Sequence, residues 1–253
     1  MKHLKTILLT AVFATIAIEA SAWCATSHKA ILTAVEQQLS KRTQKEILAI
    51  LGTPLSELEF SKERKTTTLD ADGRSTTRES NDAVVRLENA LFTLDNFDAF
   101  STEDKKRALL TIIYNIVDIH SPANIHIEGL VEGDFKFCRN NGRERTNPRF
   151  KTTDITWLNL WGNIFPNRHK AFSTAMYCNE IAVATRGKEK SHIGGNPRKW
   201  VEEIGGGMRP ILKYCYAGSE IDLHMLLPLE EFHDECMYRA VYRLAYTLNK
   251  SLK

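Results

Sequence analysis

The stretch from position 101 to 122 constrains the fold more than any other, because it reads as a helix that is apolar on almost every side. Ser101 and Asp104 mark its start with the spacing of a capping box, in which Asp replaces the usual Glu. A helix without a broad polar face must be covered by other parts of the chain. The pattern therefore predicts a central, buried helix that ends at Pro122. Its large apolar side chains are Leu109, Leu110, Ile112, Ile113, Ile116 and Val117.

Helical periodicity also dominates the rest of the chain. The polar stretch 61–82 predicts an exposed loop, and the turn-rich stretch 132–151 is a candidate for a short hairpin. No internal repeat or long linker is present, so the expected fold class is all-α, a single helical domain over 23–253 with a short irregular or hairpin insertion. Two further helices are predicted near the start, one that Ser27 caps and that carries Ile31, Val35 and Leu39, and one over 43–51 that Gly52 and Pro54 stop. A third begins after a cap at Asn81 or Asp82. Beyond the central helix, the pattern predicts a helix over 164–184, a short one after the glycines at 205–207, and a last one from about Leu229.

The first 22 residues have the three parts of a cleavable export signal. They open with two lysines, continue with an apolar run over 6–18, and end at the small-x-small site Ala20-Ser21-Ala22. The apolar run is shorter than the ~20 residues that a membrane anchor needs. Lipidation of Cys24 would require a small residue before it, where Trp23 is bulky. The sequence thus predicts a secreted or periplasmic protein that begins at Trp23 and does not insert into a membrane.

Charge and cysteine spacing narrow the function classes. Loss of the signal removes two lysines and one glutamate, which changes the formal net charge from +3 to +2, so charge alone indicates no particular partner. The five cysteines include no C-x-x-C pair, which argues against a thiolate zinc site. Export permits disulfides, and an odd number leaves at least one thiol free or paired with another chain. The pairing stays open among Cys24, Cys138, Cys178, Cys215 and Cys236.

Polar residues gather where the buried helix ends, in the sequence YNIVDIHSPANIH at 114–126. Asp118 is a carboxylate on an apolar helix, which is costly unless the group is paired or bound to a metal. His120 and His126 follow it closely, and imidazole nitrogen together with carboxylate oxygen suits zinc. The alternative is a helix-terminal aspartate that contacts water or a protein cation.

Three separated stretches form a pattern in a fixed order. The first is Trp-x-x-x-x-His at 23–28, the second is Tyr-x-x-x-Asp-x-His-x-Pro-x-Asn at 114–124, and the third is Arg-Leu-Ala-x-x-Leu-Asn at 243–249. In order and spacing they resemble the secreted trinuclear-zinc nucleases of the mung bean nuclease type, which share a fold with zinc-dependent bacterial phospholipase C. The resemblance runs from residue 23 to the end and implies the helical fold of that group.

The resemblance also implies a zinc site that export completes. The backbone amine and carbonyl of Trp23, the imidazole of His28 and the carboxylate of Asp118 would hold one zinc ion, with His126 as a candidate fourth ligand. Asp118 would be the catalytic residue, because the matching carboxylate bridges metal ions in the family. Clustered zinc ions lower the pKa of a bridging water and stabilise the leaving oxygen of a phosphate ester.

The chain departs from the family at most other ligand positions. Tyr114 and Asn124 stand where the family has histidines, and Leu158 and Gly162 stand where it has a His and an Asp. The family also has an Asp and a His between the first helix and the central one. Glu59, Asp70 or Asp72 could replace the Asp, but no histidine occurs between positions 29 and 119. The sequence therefore predicts the ligands of one zinc ion and not those of three.

Two further features concern nucleic acid. Six cations fall within 136–151, and Arg143 and Arg145 near its centre are candidate phosphate contacts, with a solvated loop as the alternative. Trp157 and Trp161 could stack on bases, although tryptophan is more often a core residue.

The resemblance implies a secreted zinc-dependent phosphodiesterase, an endonuclease on single-stranded DNA or RNA with 3′-nucleotidase activity as a related expectation, here with a degraded zinc cluster. The alternative is a catalytically inactive nuclease-like protein that binds nucleic acid or a protein partner. A phospholipase-like esterase on the shared fold is a third interpretation, which no residue singles out.

Overall fold

The computed structural model describes residues 23–59, 63–130, 135–138, 153–167, 173–216 and 218–252. Most of these residues lie in helices, so the prediction of an all-α class is confirmed. In chain order the α-helices are α1 (Ala25–Gln38), α2 (Lys41–Leu51), α3 (Ala83–Asp95), α4 (Thr102–Ile119), the short α5 (Trp157–Asn159) and α6 (Phe165–Asn167) on either side of a π-helical stretch (Leu160–Ile164), α7 (Thr174–Ala184), α8 (Pro197–Leu212) and α9 (Leu223–Ser251). Short 3-10 turns lie at Leu55–Glu57, Phe97–Ala99, Pro122–Asn124 and Glu189–His192.

Several helices begin or end where the local sequence predicts. The Ser101 hydroxyl accepts a hydrogen bond from the backbone N–H of Asp104 at 3.1 Å, as in the predicted capping box. Asp82 is the cap of α3, because its Oδ1 accepts from the N–H of Val84 at 2.8 Å. Gly52 ends α2 with a φ of 76°, in the left-handed region that glycine adopts without strain.

Helix α4 is the centre of the molecule. Most of its apolar side chains, among them Leu109, Ile112 and Ile116, are fully buried, whereas Leu110 is half-buried. The helix contacts α2, α3, α8 and α9, so it is covered on most sides, as its composition predicts. The carboxyl group of Asp118 is consequently buried near the C-terminal end of α4.

Short strands form two small sheets within the described ranges. The strands are β1 (Thr67–Leu69), β2 (Ile125–Ile127), β3 (Phe135–Cys138), β4 (Thr153–Ile155) and β5 (Glu220–Asp222). β1 and β2 are parallel, with Thr67 opposite Ile125. β3 lies between the antiparallel β4 and the parallel β5. The β3–β4 pair flanks the predicted hairpin region, of which 139–150 is outside the described residues.

The polar stretch 61–82 is only partly the exposed loop that the sequence predicts. Thr67 and Leu69 are buried in β1. The Thr67 hydroxyl donates to Oδ1 of Asp82 at 3.0 Å, which ties the strand to the start of α3. Because the strand that pairs with β1 lies far along the chain, the local polar pattern does not reveal this element.

The glycines at 205–207 do not interrupt a helix, and this prediction is wrong. Helix α8 runs continuously through them. A Cβ at Gly205 would lie 2.2 Å from Cδ1 of Leu69, and one at Gly207 would lie 2.3 Å from Cε2 of Phe232. These two glycines therefore allow close approach between α8 and its neighbours, and that packing outweighs their low helix propensity.

Two helices start earlier than the sequence predicts. Helix α1 begins at Ala25, so Ser27 lies inside it and does not cap it. Helix α9 begins at Leu223 and not near Leu229, with Pro228 inside it. Leu226 and Leu229 are both buried, so core packing accompanies the extension. In the predicted helix over 164–184, the described helices are α6 and α7.

The structure bears in part on the predictions about membrane insertion and about the cysteines. Of the helices that the structure describes, none has the length and apolar character needed to cross a bilayer. The predicted export signal at 1–22 lies outside the described residues. Free thiols in the described part are Cys24, Cys178, Cys215 and Cys236, the last three of them buried.

Candidate functional site

Trp23 is anchored beside the C-terminal end of α4. Its side chain is fully buried, and its indole Nε1 donates a hydrogen bond to the backbone oxygen of Val117 at 2.9 Å. Its ring also meets the His233 ring edge-on, with centroids 5.1 Å apart. The predicted first residue of the mature chain is thus held next to the residue that precedes Asp118.

His28 lies on the buried side of α1 and faces the same end of α4. Its ring stacks on Tyr114 with centroids 5.8 Å apart and an interplanar angle of 21°. Burial lowers the pKa of His28 to about 4, so the imidazole is neutral at neutral pH. A neutral imidazole is the form that binds zinc.

Tyr114 takes the position at which the resemblance places a histidine ligand. It lies one helical turn before Asp118 on the same face of α4. Its hydroxyl donates to the backbone oxygen of Glu59 at 2.8 Å. Burial raises the pKa of Tyr114, so the phenol keeps its proton and is a poor ligand for zinc.

Asp118 is a buried carboxyl with little compensation for its charge. Desolvation raises its pKa to about 8, and this effect outweighs the backbone hydrogen bond from Lys65 and the charges of Lys65 and Arg64, which lower it. The Lys65 N–H donates to Oδ2 of Asp118 at 3.2 Å. Without a further cation the carboxyl is therefore mostly protonated at neutral pH.

Asn124 binds an arginine where the resemblance places the last histidine of the motif. Its side chain is fully buried, and Nδ2 donates to the backbone oxygen of Asp118 at 3.1 Å. Its Oδ1 accepts from Nε of Arg64 at 2.7 Å. The Arg64 guanidinium also donates to the backbone oxygen of Ala123. A protein cation thus lies beside Asn124, close to the end of α4.

The predicted zinc ligands are the backbone of Trp23 and the side chains of His28, Asp118 and His126. Among the residues that the structure describes, no three His, Cys, Asp or Glu side chains lie together in a group that could hold a metal ion. His126 is half-buried on β2, opposite Thr68, and so does not complete such a group with His28 and Asp118. One ion would use His28, Asp118 and the backbone of Trp23, and this set stays a prediction.

His120, which follows Asp118 in the polar stretch at 114–126, is fully buried in the site region. Its Nε2 accepts from Nη1 of Arg243 at 3.1 Å, because a guanidinium can only donate. Its Nδ1 therefore carries the proton and donates to the backbone oxygen of Ile116 at 2.6 Å. Burial lowers the pKa of His120 well below its usual value, so the ring is neutral. This contact joins the second and third stretches of the resemblance.

Arg243 is buried in turn against Trp200 and Glu203. Its guanidinium carbon lies 5.4 Å from the centroid of the Trp200 ring, and Nη2 donates to Oε2 of Glu203. The arginine in the closing helix thus holds α4, α8 and α9 together behind Asp118. In the sequence Arg243 is marked by its place in the third stretch of the resemblance, at 243–249.

A polar cleft of about 340 Å³ opens between α3, α4 and the segment that precedes β1. Four cations and two carboxylates line it, together with Tyr114 and Asn115 of α4. The charged residues are Lys65, Arg86, Lys106, Arg107, Glu63 and Glu103. Sequence patterns do not reveal this cleft because its cations come from three separate segments.

The remaining candidate residues have different outcomes. Trp157 and Trp161 are buried, and their rings meet edge-on at 5.2 Å, so their interpretation as core residues is confirmed. Arg143 and Arg145 lie outside the described residues.

No known protein-family profile matches the chain, and no curated protein matches it either.

Proposed function

We propose that this chain is an exported protein of the mung bean nuclease type that cleaves phosphodiester bonds in single-stranded DNA or RNA with one bound zinc ion. The observation that supports this proposal is the meeting of two distant stretches. Trp23 donates to the backbone of Val117, and His28 stacks on Tyr114, so both lie against the last turns of α4. The resemblance requires this meeting, since the amine of Trp23, His28 and Asp118 must share an ion.

The chain's own residues would prepare the site in two ways. His28 is neutral because it is buried, so its nitrogen is available as a ligand without loss of a proton. Asp118 would release its proton when a cation binds, because the cation offsets the cost of its buried charge. Bound zinc would lower the pKa of a coordinated water and stabilise the departing oxygen.

The test uses the chain that begins at Trp23, purified without chelator. We expect about one zinc ion per chain and hydrolysis of single-stranded oligothymidylate that EDTA abolishes. Asp118→Asn should remove both the zinc and the activity, whereas Asp98→Asn, at an exposed position, should leave both unchanged. Hydrolysis that survives EDTA and Asp118→Asn would rule out a zinc-centred reaction.

A second variant isolates the role of the terminal amine. One extra alanine before Trp23 converts the amine to a peptide N–H, which cannot bind zinc as the amine does. We expect this chain to keep its melting temperature in EDTA and to lose zinc. Equal zinc content with and without the extra alanine would show that Trp23 is not a ligand.

The second candidate function is a nuclease-like protein that binds nucleic acid without cleaving it, and one observation favours it. Arg64 is bound to Asn124 and Ala123 where the family has a histidine ligand, and its charge acts on Asp118. A fixed cation near Asp118 opposes binding of a metal ion there. A chain that starts at Trp23, contains no zinc and still binds oligothymidylate would support this candidate over the enzyme.

A further inference from the structure

We infer that the surface between α3 and α4 is a groove that binds single-stranded nucleic acid without a metal ion. The choice of nucleic acid as the ligand rests on the proposed function, but the groove is separate from the predicted zinc ligands. It consists of the 340 Å³ cleft and a neighbouring cleft of about 410 Å³. Both clefts are lined by Arg86, Arg107 and Thr111, so they adjoin one another.

The first cleft has an excess of positive charge. Lys65, Arg86, Lys106 and Arg107 line it against two carboxylates, Glu63 and Glu103. Arg86 lies on α3 and Arg107 on α4, and both side chains line the two clefts, which places two guanidinium groups on one surface. Guanidinium groups bind phosphate in a bidentate manner, which makes this arrangement suited to a phosphodiester.

The carboxylates near the arginines are on the surface and can be displaced. Nη1 of Arg86 lies 3.4 Å from Oε1 of Glu63, whose side chain is 69% exposed. Arg107 pairs with Asp104, whose side chain is 41% exposed. Exposed ion pairs contribute little free energy, so exchange of a carboxylate for a phosphate costs little.

The second cleft adds aromatic surface beside the cations. Phe100 lines it, and Phe92 on α3 meets Phe100 edge-on with ring centroids 6.5 Å apart. Phe92 is 64% exposed, the most exposed of the large apolar side chains in the described ranges. Aromatic faces next to a cationic backbone track are how proteins bind single strands without reading sequence.

The groove leads towards the proposed catalytic residues. Tyr114, which stacks on His28, lines the first cleft, and so does Lys65, whose N–H binds Asp118. A strand that lies along α3 and α4 would therefore have its phosphates at Arg86 and Arg107 and one end at Tyr114. None of the residues that line the two clefts is a predicted zinc ligand.

The test measures binding of fluorescently labelled oligothymidylate to the chain from Trp23, in EDTA, at several salt concentrations. We expect Arg86→Gln and Arg107→Gln each to weaken binding and to reduce the slope of log K against log salt by about 0.7, one phosphate contact on a single strand. Phe92→Ala should weaken binding by about fivefold or more, through lost base stacking. Arg186→Gln, at an exposed site after α7, is the matched control and should bind as the unmodified chain does.

Three results would contradict the proposal that this groove binds nucleic acid. The first is equal affinity and salt slope in the groove variants and in Arg186→Gln. The second is binding that disappears with Arg143→Gln and Arg145→Gln but not with the groove variants. The third is binding that needs added zinc. Because these measurements are made in EDTA, absence of zinc-dependent hydrolysis would defeat the proposed catalysis and leave the groove intact. Melting temperatures check that each variant folds.

Discussion

Arg243 on α9 donates a hydrogen bond to Nε2 of His120, 123 positions away, and so links the closing helix to the end of α4. Both side chains are almost fully buried. The bond fixes the His120 tautomer, and with it the bond from Nδ1 to the backbone oxygen of Ile116. The last turn of α4, which presents Asp118, is thereby held from behind.

Replacement of this arginine should destabilise the fold. Arg243→Met keeps the length of the side chain but leaves Nε2 of the buried His120 without its donor and removes the closer of the two arginine partners of Glu203. We expect the free energy of unfolding in urea to fall by about 2–4 kcal/mol. Arg239→Met is the control, since Arg239 pairs with Glu235 and, at 3.5 Å, with the same Glu203, but its side chain is 27% exposed and does not contact His120. We expect it to cost about 1 kcal/mol or less. Equal losses would contradict a special role for the buried contact.

The burial of His28 predicts a pH dependence of stability. The pKa of His28 is about 4 in the folded chain against an ordinary value of 6.5 for a solvated histidine, so the unfolded chain binds the proton more tightly. This contribution to stability is complete above pH 6.5 and is lost as the pH falls towards 4. Its full size is about 3 kcal/mol.

The measurement compares unfolding of the unmodified chain and His28→Phe in EDTA between pH 7 and 4. Phenylalanine keeps an aromatic ring on Tyr114 and does not titrate. We expect the unmodified chain to lose up to about 3 kcal/mol of stability relative to His28→Phe as the pH falls. Other histidines contribute equally to both proteins and cancel. A constant difference would show that His28 is not buried as a neutral ring.

Asp118 should act in the opposite direction. Its pKa is raised from 3.8 to about 8, so the folded chain favours the protonated carboxyl. The contribution is complete below pH 3.8 and is lost as the pH rises through 8. Asp118→Asn imitates the neutral form and should be more stable than the unmodified chain at pH 8.5 in EDTA, by about 1 kcal/mol or more.

Added zinc should reverse that order. Only the unmodified chain, begun at Trp23, can offer a carboxylate to the ion, so its melting temperature should rise above that of Asp118→Asn. An equal rise of both melting temperatures on addition of zinc would show that Asp118 does not bind the ion. An unmodified chain that is already the more stable one in EDTA would show that Arg64 and Lys65 compensate its charge.

Local signals predict the helices, and long-range packing explains what they miss. Ser101 caps α4 and Asp82 caps α3 because each cap bonds within a few residues of itself. Strand β1 has only Leu69 as a large apolar residue, and its pairing with β2 depends on a chain segment that no local pattern includes. Secondary structure set by distant partners is therefore the part that local sequence patterns predict wrongly.

The candidate site divides in the same way. Asp118 stands out in the sequence because it is a carboxylate on an apolar helix, and the structure buries it. The bond from Arg64 to Asn124 joins residues 60 positions apart, and nothing in either stretch marks it. The proposed groove combines Arg86 of α3 with Arg107 of α4, and no local sequence pattern predicts that these two helices bring the side chains to one surface.

The glycines of α8 give a stability test with an internal control. A Cβ at Gly207 would lie 2.3 Å from the Phe232 ring, whereas one at Gly206 would have no atom within 4 Å. Gly206→Ala should therefore stabilise the chain by up to about 1 kcal/mol through helix propensity alone. Gly207→Ala gains the same propensity but must move the Phe232 ring, at a cost of about 1–3 kcal/mol.

Urea unfolding of the two variants decides between close packing and helix interruption as the role of these glycines. We expect changes of opposite sign at neighbouring positions, because only the environment of the added methyl group differs between them. The double variant Gly207→Ala with Phe232→Leu should recover part of the loss, since a smaller side chain makes room for the methyl group. Equal stabilisation at both positions would mean that Phe232 does not pack against α8, and that the glycines are dispensable for the approach of α8 to α9.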